Sequence, residues 1–310
     1  MSEDGSEDSS GISDPAARPA MGATMRVLAP YPHILAFYDG RVPGVRLHSA
    51  APNWLDDGAY EAGIASYAVI DGAEALVYDT HISLAHARII RETLEARGVR
   101  HIKVLLSHWH DDHVAGNAVF GDCEIIANRL TAEILAEKRA VLETGDPPIC
   151  PLVLPTRTFE GEMTLTIGSI PLIFRQVDLH SRDGTVVLLP GGLMLAGDTL
   201  EDPITYVDEP ERLSLHLADL RRMKDWNLRA ILPNHGAEEV IARGGYAPEI
   251  IDETIAYIEE LTLRTNDLKV KCEPLSQLLA AAFARGTLKY HAPYEVVHRQ
   301  NVEAVLKARG

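Results

Sequence analysis

The chain has 310 residues, of which 46% are hydrophobic, so it can bury a full core without disulfide bonds or other cross-links. Its formal net charge of −16 argues against a nucleic-acid backbone or an anionic membrane surface as the main partner. The three cysteines, Cys123, Cys150 and Cys272, are widely spaced and odd in number, which favours a reducing compartment. We therefore expect a cytoplasmic protein with no secretory signal and no transmembrane segment.

The first half of the chain predicts an alternation of strands and helices. Residues 1–22 are polar and acidic, and we expect them to form a disordered tail. Residues 65–70 and 75–80 are short β-rich runs on either side of an Asp-Gly turn, which is typical of a hairpin. Ser83 is well placed to cap a helix. A buried strand at 104–106 then leads directly into a histidine-rich segment.

The second half is first β-rich and then helical. Apolar residues alternate over 163–167, and a hairpin is predicted over 185–196, across a Pro-Gly-Gly turn. A helix is expected at about 210–226 and a strand at 230–232, and the remainder, 248–310, has helical periodicity. Strands followed by helices in each half suit two sheets packed face to face between helical layers.

The strongest chemical signal is the segment His108-x-His110-x-Asp112-His113, directly after the predicted strand. Imidazoles and carboxylates are the ligands that hold Zn²⁺ and similar divalent ions in proteins. The first two histidines can face one metal ion, and Asp112 with His113 can face a second one. The alternative is a polar surface loop that is rich in histidine by accident.

Three further residues of metal-ligand type also follow predicted strands, namely His180, Asp198 and His235. Taken singly, each is more often a loop or cap residue. Taken together with the histidine-rich segment, they make five histidines and two aspartates. This is a complete set for two metal ions that share one bridging ligand.

The ordered series of Asp79, the histidine-rich segment, His180, Asp198 and His235 resembles the five motifs of the metallo-β-lactamase superfamily, over about residues 26–240. The resemblance implies an α/β (α+β) fold, a four-layered αβ/βα sandwich with extra C-terminal helices. The catalytic domain is then expected over residues 23–247, and residues 248–310 form a helical extension packed on the same domain.

The resemblance also implies a role for each residue of the series. Asp79 supports the histidine-rich loop without touching metal, which is how outer carboxylates commonly orient ligand imidazoles. Asp198 bridges two divalent ions, Zn²⁺ in the first place and Mn²⁺ or Fe²⁺ as alternatives. Asp112 binds metal and orients the attacking hydroxide. The first ion is then held by His108, His110 and His180, and the second by Asp112, His113 and His235.

The implied activity is that of a dinuclear metal-dependent hydrolase, in which a bridging hydroxide attacks the carbonyl of an ester, lactone, thioester or lactam. Within the superfamily, Asp198 favours lactonases, thioesterases and general hydrolases, because true β-lactamases usually carry Cys or Ser there. The alternatives are a mononuclear iron oxygenase that resembles persulfide dioxygenases, and a metal-dependent phosphodiesterase or nuclease.

A small-molecule substrate is expected, with no nucleic-acid or membrane partner, and a homodimer through the C-terminal helices is a further prediction. The acyl-homoserine lactonases typically place a tyrosine where this chain has Glu201, and Tyr206 is a candidate substitute. The C-terminal region is expected to cover the cleft or to lie at a dimer contact, with core packing as the alternative. The predicted substrate-pocket residues are Trp109, Tyr206, Tyr290, His291 and Tyr294.

Overall fold

The structure is a computed structural model that describes residues 18–264 and 273–309. Two β-sheets form its centre, and in both the order from edge to edge follows the chain. The seven-stranded sheet contains β1 (Arg26–Tyr31), β2 (Ile34–Asp39), β3 (Ile64–Asp71), β4 (Glu74–Tyr78), β5 (His101–Leu105), β6 (Glu124–Asn128) and β7 (Arg157–Phe159). The five-stranded sheet contains β8 (Glu162–Ile167), β9 (Ile170–Leu179), β10 (Ser181–Leu189), β11 (Leu193–Gly197) and β12 (Ala230–Pro233).

Helices cover the outer faces of both sheets. Within the described ranges, none of them is long and apolar enough to cross a membrane. A π-helical segment, Trp54–Tyr60, and 3-10 turns at Asn117–Phe120, Pro210–Arg212 and Lys224–Trp226 complete the elements. The α-helices are α1 (Leu84–Ala96), α2 (Asp111–Val114), α3 (Arg129–Glu143), α4 (Leu213–Met223), α5 (Glu238–Ile241), α6 (Glu249–Arg264), α7 (Leu275–Leu278), α8 (Ala280–Arg285) and α9 (Tyr294–Arg309).

The alternation of side chains along β3 builds the layers. Tyr67 and Val69 enter the core between the two sheets, where Leu195 of β11 also lies. Ala68, between them in sequence, points to the opposite face and packs in one core with Ile90 of α1. Both faces of the sheet are therefore buried, and the predicted αβ/βα sandwich is confirmed.

The C-terminal helices pack on the outer face of the five-stranded sheet. Ile251 and Ile258 of α6 lie in one buried core with Met194 of β11 and Val302 of α9. Since α6 and α9 share this core with the sheet, the described part of the C-terminal region lies against the strands that lead to the candidate site.

Two parts of the N-terminal region differ from the sequence-based expectation. Of the predicted tail, residues 1–17 lie outside the described residues, whereas residues 18–22 lie against the body. Arg18 donates a hydrogen bond to the backbone oxygen of His48 over 2.8 Å, and Met21 packs beside Leu47. Strand β2 is also not predicted from the sequence, because every residue of this strand is buried and its sequence shows no alternation.

Candidate metal centre

The candidate ligands lie where strands of both sheets end. β4 and β5 are a parallel pair, and the chain continues from them into Asp79 and the histidine-rich segment. β11 and β12 are a parallel pair in the second sheet, and they lead into Asp198 and His235. His180 is the single residue between β9 and β10. Because the ends of parallel strands meet at one edge, residues far apart in sequence come together here.

The structure brings all seven predicted ligands into two adjoining groups that share Asp198. Within each group, the candidate ligand atoms all lie within 4.8 Å of one another. One group contains His108, His110, His180 and Asp198, and the other contains Asp112, His113, Asp198 and His235.

In the first group, three imidazole nitrogens face each other. His110 Nδ1 lies 2.9 Å from His108 Nε2 and 2.8 Å from His180 Nε2. His180 Nδ1 lies 3.0 Å from the backbone oxygen of Tyr206. This nitrogen can donate a hydrogen bond to that oxygen only in the tautomer that has the proton on Nδ1. A neutral His180 then turns the lone pair of Nε2 towards the other rings. Converging lone pairs of this kind fit a bound cation.

In the second group, Asp112 lies between two histidines. Its Oδ1 is 3.3 Å from His113 Nε2, and its Oδ2 is 3.1 Å from His235 Nε2. The outer nitrogens of both rings have acceptors, because His113 Nδ1 lies 2.9 Å from Asp79 Oδ2 and His235 Nδ1 lies 2.8 Å from the backbone oxygen of Gly63. These contacts place a proton on each Nδ1 and direct each Nε2 inwards.

Asp198 belongs to both groups. Its Oδ2 lies 3.0 Å from His113 Nε2, 3.4 Å from His235 Nε2, 3.7 Å from His108 Nε2 and 3.8 Å from His180 Nε2. Among the described residues, its buried Oδ1 has no hydrogen-bond partner. A carboxylate with one oxygen amid inward-facing imidazoles and the other buried without a partner fits a pair of divalent cations that share it.

Gly197 allows Asp198 to reach this position. Its φ of +58° is unfavourable for residues with a side chain. A Cβ atom there would also lie 2.9 Å from the hydroxyl oxygen of Tyr78 and 3.0 Å from Cβ of Ser107. The glycine before the shared aspartate is therefore required by both conformation and space.

Burial and mutual charge shift the pKa values of the cluster strongly. Burial raises the pKa of the Asp198 carboxyl, but the charges of His113 and His235 outweigh it and hold this pKa well below its ordinary value. Burial lowers the pKa of both histidines, yet the carboxylates beside them hold it well above the ordinary range. Burial together with the neighbouring His113 lowers the pKa of His108. A cation that binds here competes with protons on His113 and His235.

Asp79 holds the histidine-rich segment in place through contacts with its backbone and with the outer nitrogen of His113. Its Oδ1 accepts a hydrogen bond from the backbone N–H of Ser107 over 2.7 Å, and its Oδ2 accepts one from Asn234 Nδ2 over 2.6 Å. Asp79 itself has a φ of +64°, an uncommon conformation for a non-glycine residue. Asn234 is not predicted as a site residue, although its place directly before His235 is a signal that could have found it.

Two further carboxylates contact the histidines from outside. Asp208 Oδ2 lies 3.6 Å from His110 Nε2. Glu201 Oε1 lies 3.5 Å from His180 Nδ1 and accepts a hydrogen bond from the backbone N–H of Tyr206 over 2.8 Å. Neither is predicted as a site residue. Asp208 carries no sequence signal, since it lies in an irregular segment without periodicity.

A cavity of about 920 Å³ opens above the two groups. Of the predicted pocket residues, Trp109, Tyr206 and Tyr294 line it. Tyr290 and His291 do not belong to its lining, which corrects the prediction. The Tyr290 ring packs edge-on against Phe283 and remains 47% exposed, while His291 Nε2 lies 2.8 Å from the backbone oxygen of Glu61.

Comparisons with known proteins agree with this geometry. The family model described as the metallo-beta-lactamase superfamily matches residues 60–235, more than half of the chain. The solved metallo-beta-lactamase from Pontibacter korlensis is 15% identical with a TM-score of 0.58, over 76% of this chain and 99% of that chain. The DIM-1 metallo-beta-lactamase is 21% identical with a TM-score of 0.56, over 76% of this chain and 96% of that chain. At these identities the likeness shows the fold alone.

A curated relative, the atrochrysone carboxyl ACP thioesterase of Passalora fulva, is 42% identical over 57 residues. The match covers 18% of this chain and 17% of that protein, so the chain spans less than a fifth of the relative's length in this match.

Proposed function

The chain belongs to the metallo-β-lactamase superfamily. On this basis we propose that it is a hydrolase that uses two divalent metal ions, with Zn²⁺ as the first candidate. Its substrate is a small molecule with an ester, lactone or thioester bond. The observation that carries the proposal is the position of Asp198, whose Oδ2 lies within 3.8 Å of an Nε2 atom from each of four histidines.

The residue at position 198 also supports the choice of bond. The sequence resemblance associates an aspartate at this place with lactonases and thioesterases, and a Cys or Ser with the β-lactamases of the superfamily. The short match to a protein named as a thioesterase points in the same direction. We therefore rank lactams below esters and thioesters as substrates.

We assign the first ion to His108, His110 and His180, the second to Asp112, His113 and His235, and the bridge to Asp198. Divalent ions held there would supply Lewis-acid chemistry, polarising a carbonyl oxygen and lowering the pKa of a water molecule. Asp112 is one of the candidate ligands that line the cavity, and we assign it the role of the catalytic carboxylate. It orients the attacking water and accepts its proton as the water oxygen bonds to the carbonyl carbon. The proton then passes to the oxygen or sulfur that leaves as the acyl bond breaks.

The test is a substrate panel on the purified full chain, with its metal content measured by mass spectrometry. A lactone, a thioester, a β-lactam and a phosphodiester are each assayed with zinc-loaded protein. We expect two metal ions per chain and turnover of the lactone or the thioester. Turnover of the phosphodiester alone would favour a nuclease or phosphodiesterase. A single iron with oxygen consumption in the presence of a persulfide would favour an oxygenase.

A further inference from the structure

The cavity above the candidate metal centre has two walls from distant parts of the chain. One is formed around the π-helical segment, with Asn53 and Trp54. The other is formed by the start of α9. A volume of about 920 Å³ lies near the upper end of the range for small-molecule sites. The cavity therefore has room for a substrate that extends well beyond the bond to be cleaved.

The wall from α9 is one face of a helix. The lining residues of this wall are Pro293, Tyr294, Val296, Val297 and Gln300. All except Tyr294 are spaced by three, four and seven positions, which puts those four on the same side of the helix. Three of the four are apolar. Val296 is 48% exposed, so an apolar side chain faces the open cavity rather than the protein core. This face offers contact area to an apolar substrate group.

The charged side chains of the lining are carboxylates and the histidines of the candidate metal centre. Besides Asp112 and Asp198, the lining contains Asp57, Asp208 and Glu201 among other carboxylates, and none of the described residues that line it is a lysine or an arginine. This matters because an anionic substrate group binds most readily where a guanidinium or ammonium group can pair with it.

The cations near the cavity are engaged by carboxylates of its lining. Arg46 forms two hydrogen bonds with Asp57, over 2.6 and 3.1 Å. Lys138 lies with its Nζ 4.0 Å from the centroid of the Trp109 ring, and its charge acts on Asp111 and Asp208. Neither cation itself belongs to the lining, so the α9 wall has no lysine or arginine beside it that could pair with a substrate anion.

We infer that the cavity is specific for esters or thioesters whose acyl group is uncharged and apolar, and that this group lies along the α9 wall. Acyl groups that carry a carboxylate or phosphate are rejected. This inference rests on the proposed function and narrows its substrate class. A carboxylate at the end of the acyl group would lie against the apolar α9 wall and lose hydration there, with no lysine or arginine of the described lining to pair with it.

The first test compares two substrates of equal length on the zinc-loaded full chain. These are 4-nitrophenyl hexanoate and the mono-4-nitrophenyl ester of adipic acid, which differs by a terminal carboxylate. We expect kcat/KM to be at least about tenfold higher for the hexanoate, because the terminal carboxylate loses hydration without gaining a partner. Equal values, or a preference for the adipate ester, would overturn the inference and leave the proposed hydrolase intact. If neither these esters nor thioesters of the same acids are hydrolysed, the inference fails, and the proposed function fails as well when the lactone of the panel is also not turned over.

Two pairs of variants test the role of α9 directly. Gln300→Lys adds a cation to the wall, and it should raise kcat/KM for the adipate ester relative to the hexanoate by roughly tenfold. Gln277→Lys, an exposed residue outside the lining, is the matched control and should leave the ratio unchanged. Val296→Ser should reduce the preference for hexanoate over acetate by roughly three- to fivefold. Val141→Ser, at a valine that is 71% exposed on α3, should not change it. If variant and control behave alike, α9 is not the acyl wall.

Discussion

The hydroxyl group of Tyr294 donates a hydrogen bond to Oε2 of Glu201 over 2.9 Å, and both residues are buried. The other oxygen of Glu201 lies 3.5 Å from Nδ1 of His180. One carboxylate therefore connects the first residue of α9 to the outer side of a candidate metal ligand. The start of α9 lines the cavity above the candidate metal centre and is also hydrogen-bonded to a carboxylate that contacts one of the candidate ligands.

Tyr294→Phe should lower the free energy of unfolding by roughly 1–3 kcal/mol, because it leaves an acceptor on a buried carboxylate without its donor. The measurement is urea denaturation of the full chain. Tyr290→Phe is the matched control, since the hydroxyl of Tyr290 contacts Glu295 over 3.3 Å on a residue that is 47% exposed. Its effect should stay below about 0.5 kcal/mol. Equal losses in the two variants would show that the buried bond contributes nothing special.

Asp198→Ala should reduce both metal content and turnover, because it removes the carboxylate that is shared by the two ligand groups. We expect a loss of at least about 10–100-fold in turnover, as for disturbed metal shells in general. The far-UV circular dichroism should remain that of the folded protein, since the core strands are unchanged. Asp225→Ala, at an exposed residue of the 3-10 turn before β12, is the control. Retention of two metal ions and normal rates in Asp198→Ala would contradict the assignment of the bridge.

Removal of metal by a chelator should lower the melting temperature of the wild type, and added Zn²⁺ should restore it. Ligand that binds only the folded state stabilises it by about 2.7 kcal/mol at a hundredfold excess over Kd. Asp198→Ala should show a smaller change in melting temperature between chelator and Zn²⁺ than the wild type. If the melting curve with chelator, where metal is shown to be absent, is the same as the curve with added Zn²⁺, the seven residues do not hold metal.

Asp178 should make stability depend on acid pH. Burial raises the pKa of this carboxyl, but the His216 imidazole 3.3 Å away and the hydrogen bonds from Arg212 outweigh it and lower the pKa to about 2. The contribution of a carboxyl with a depressed pKa is complete above about pH 4 and is lost as the pH falls towards about 2. Asp178→Asn should therefore lower the free energy of unfolding by roughly 1–2 kcal/mol at pH 7, and by less at pH 3. Asp225→Asn should show no such change, and a constant deficit for Asp178→Asn at both pH values would refute the linkage.

Several elements could be predicted because their signal is local. Ser83 does cap α1, and its side chain accepts a hydrogen bond from the backbone N–H of His86, as the sequence pattern indicates. Asn128 caps α3 in the same way, through the backbone N–H of Leu130. The hairpin of β10 and β11 forms across the Pro-Gly-Gly turn with antiparallel register. In each case the residues that decide the conformation are neighbours in the chain.

The candidate ligands could also be recognised from the sequence, since each is a residue of metal-binding type directly after a predicted strand. Two members of their surroundings could not. Asp208 contacts His110 from a segment without regular structure, and Glu201 has an ordinary position in a loop. A carboxylate in a loop is usually a solvated residue. The family resemblance marks position 201, but nothing in the sequence indicates that either of these two side chains contacts a ligand histidine.

The sequence by itself determined which residues are of metal-binding type and where most of the strands around them lie, because the type of each residue and the period of the apolar residues are local properties. Only the tertiary structure decided what encloses the site. Tyr294 meets Glu201 across 93 positions of sequence, and the face of α9 that lines the cavity has the same 3.6-residue period as a face that packs in a core. The period of the apolar residues indicates that one side of a helix faces away from solvent. Whether that side packs in a core or lines a cavity depends on how the two sheets and their helices pack.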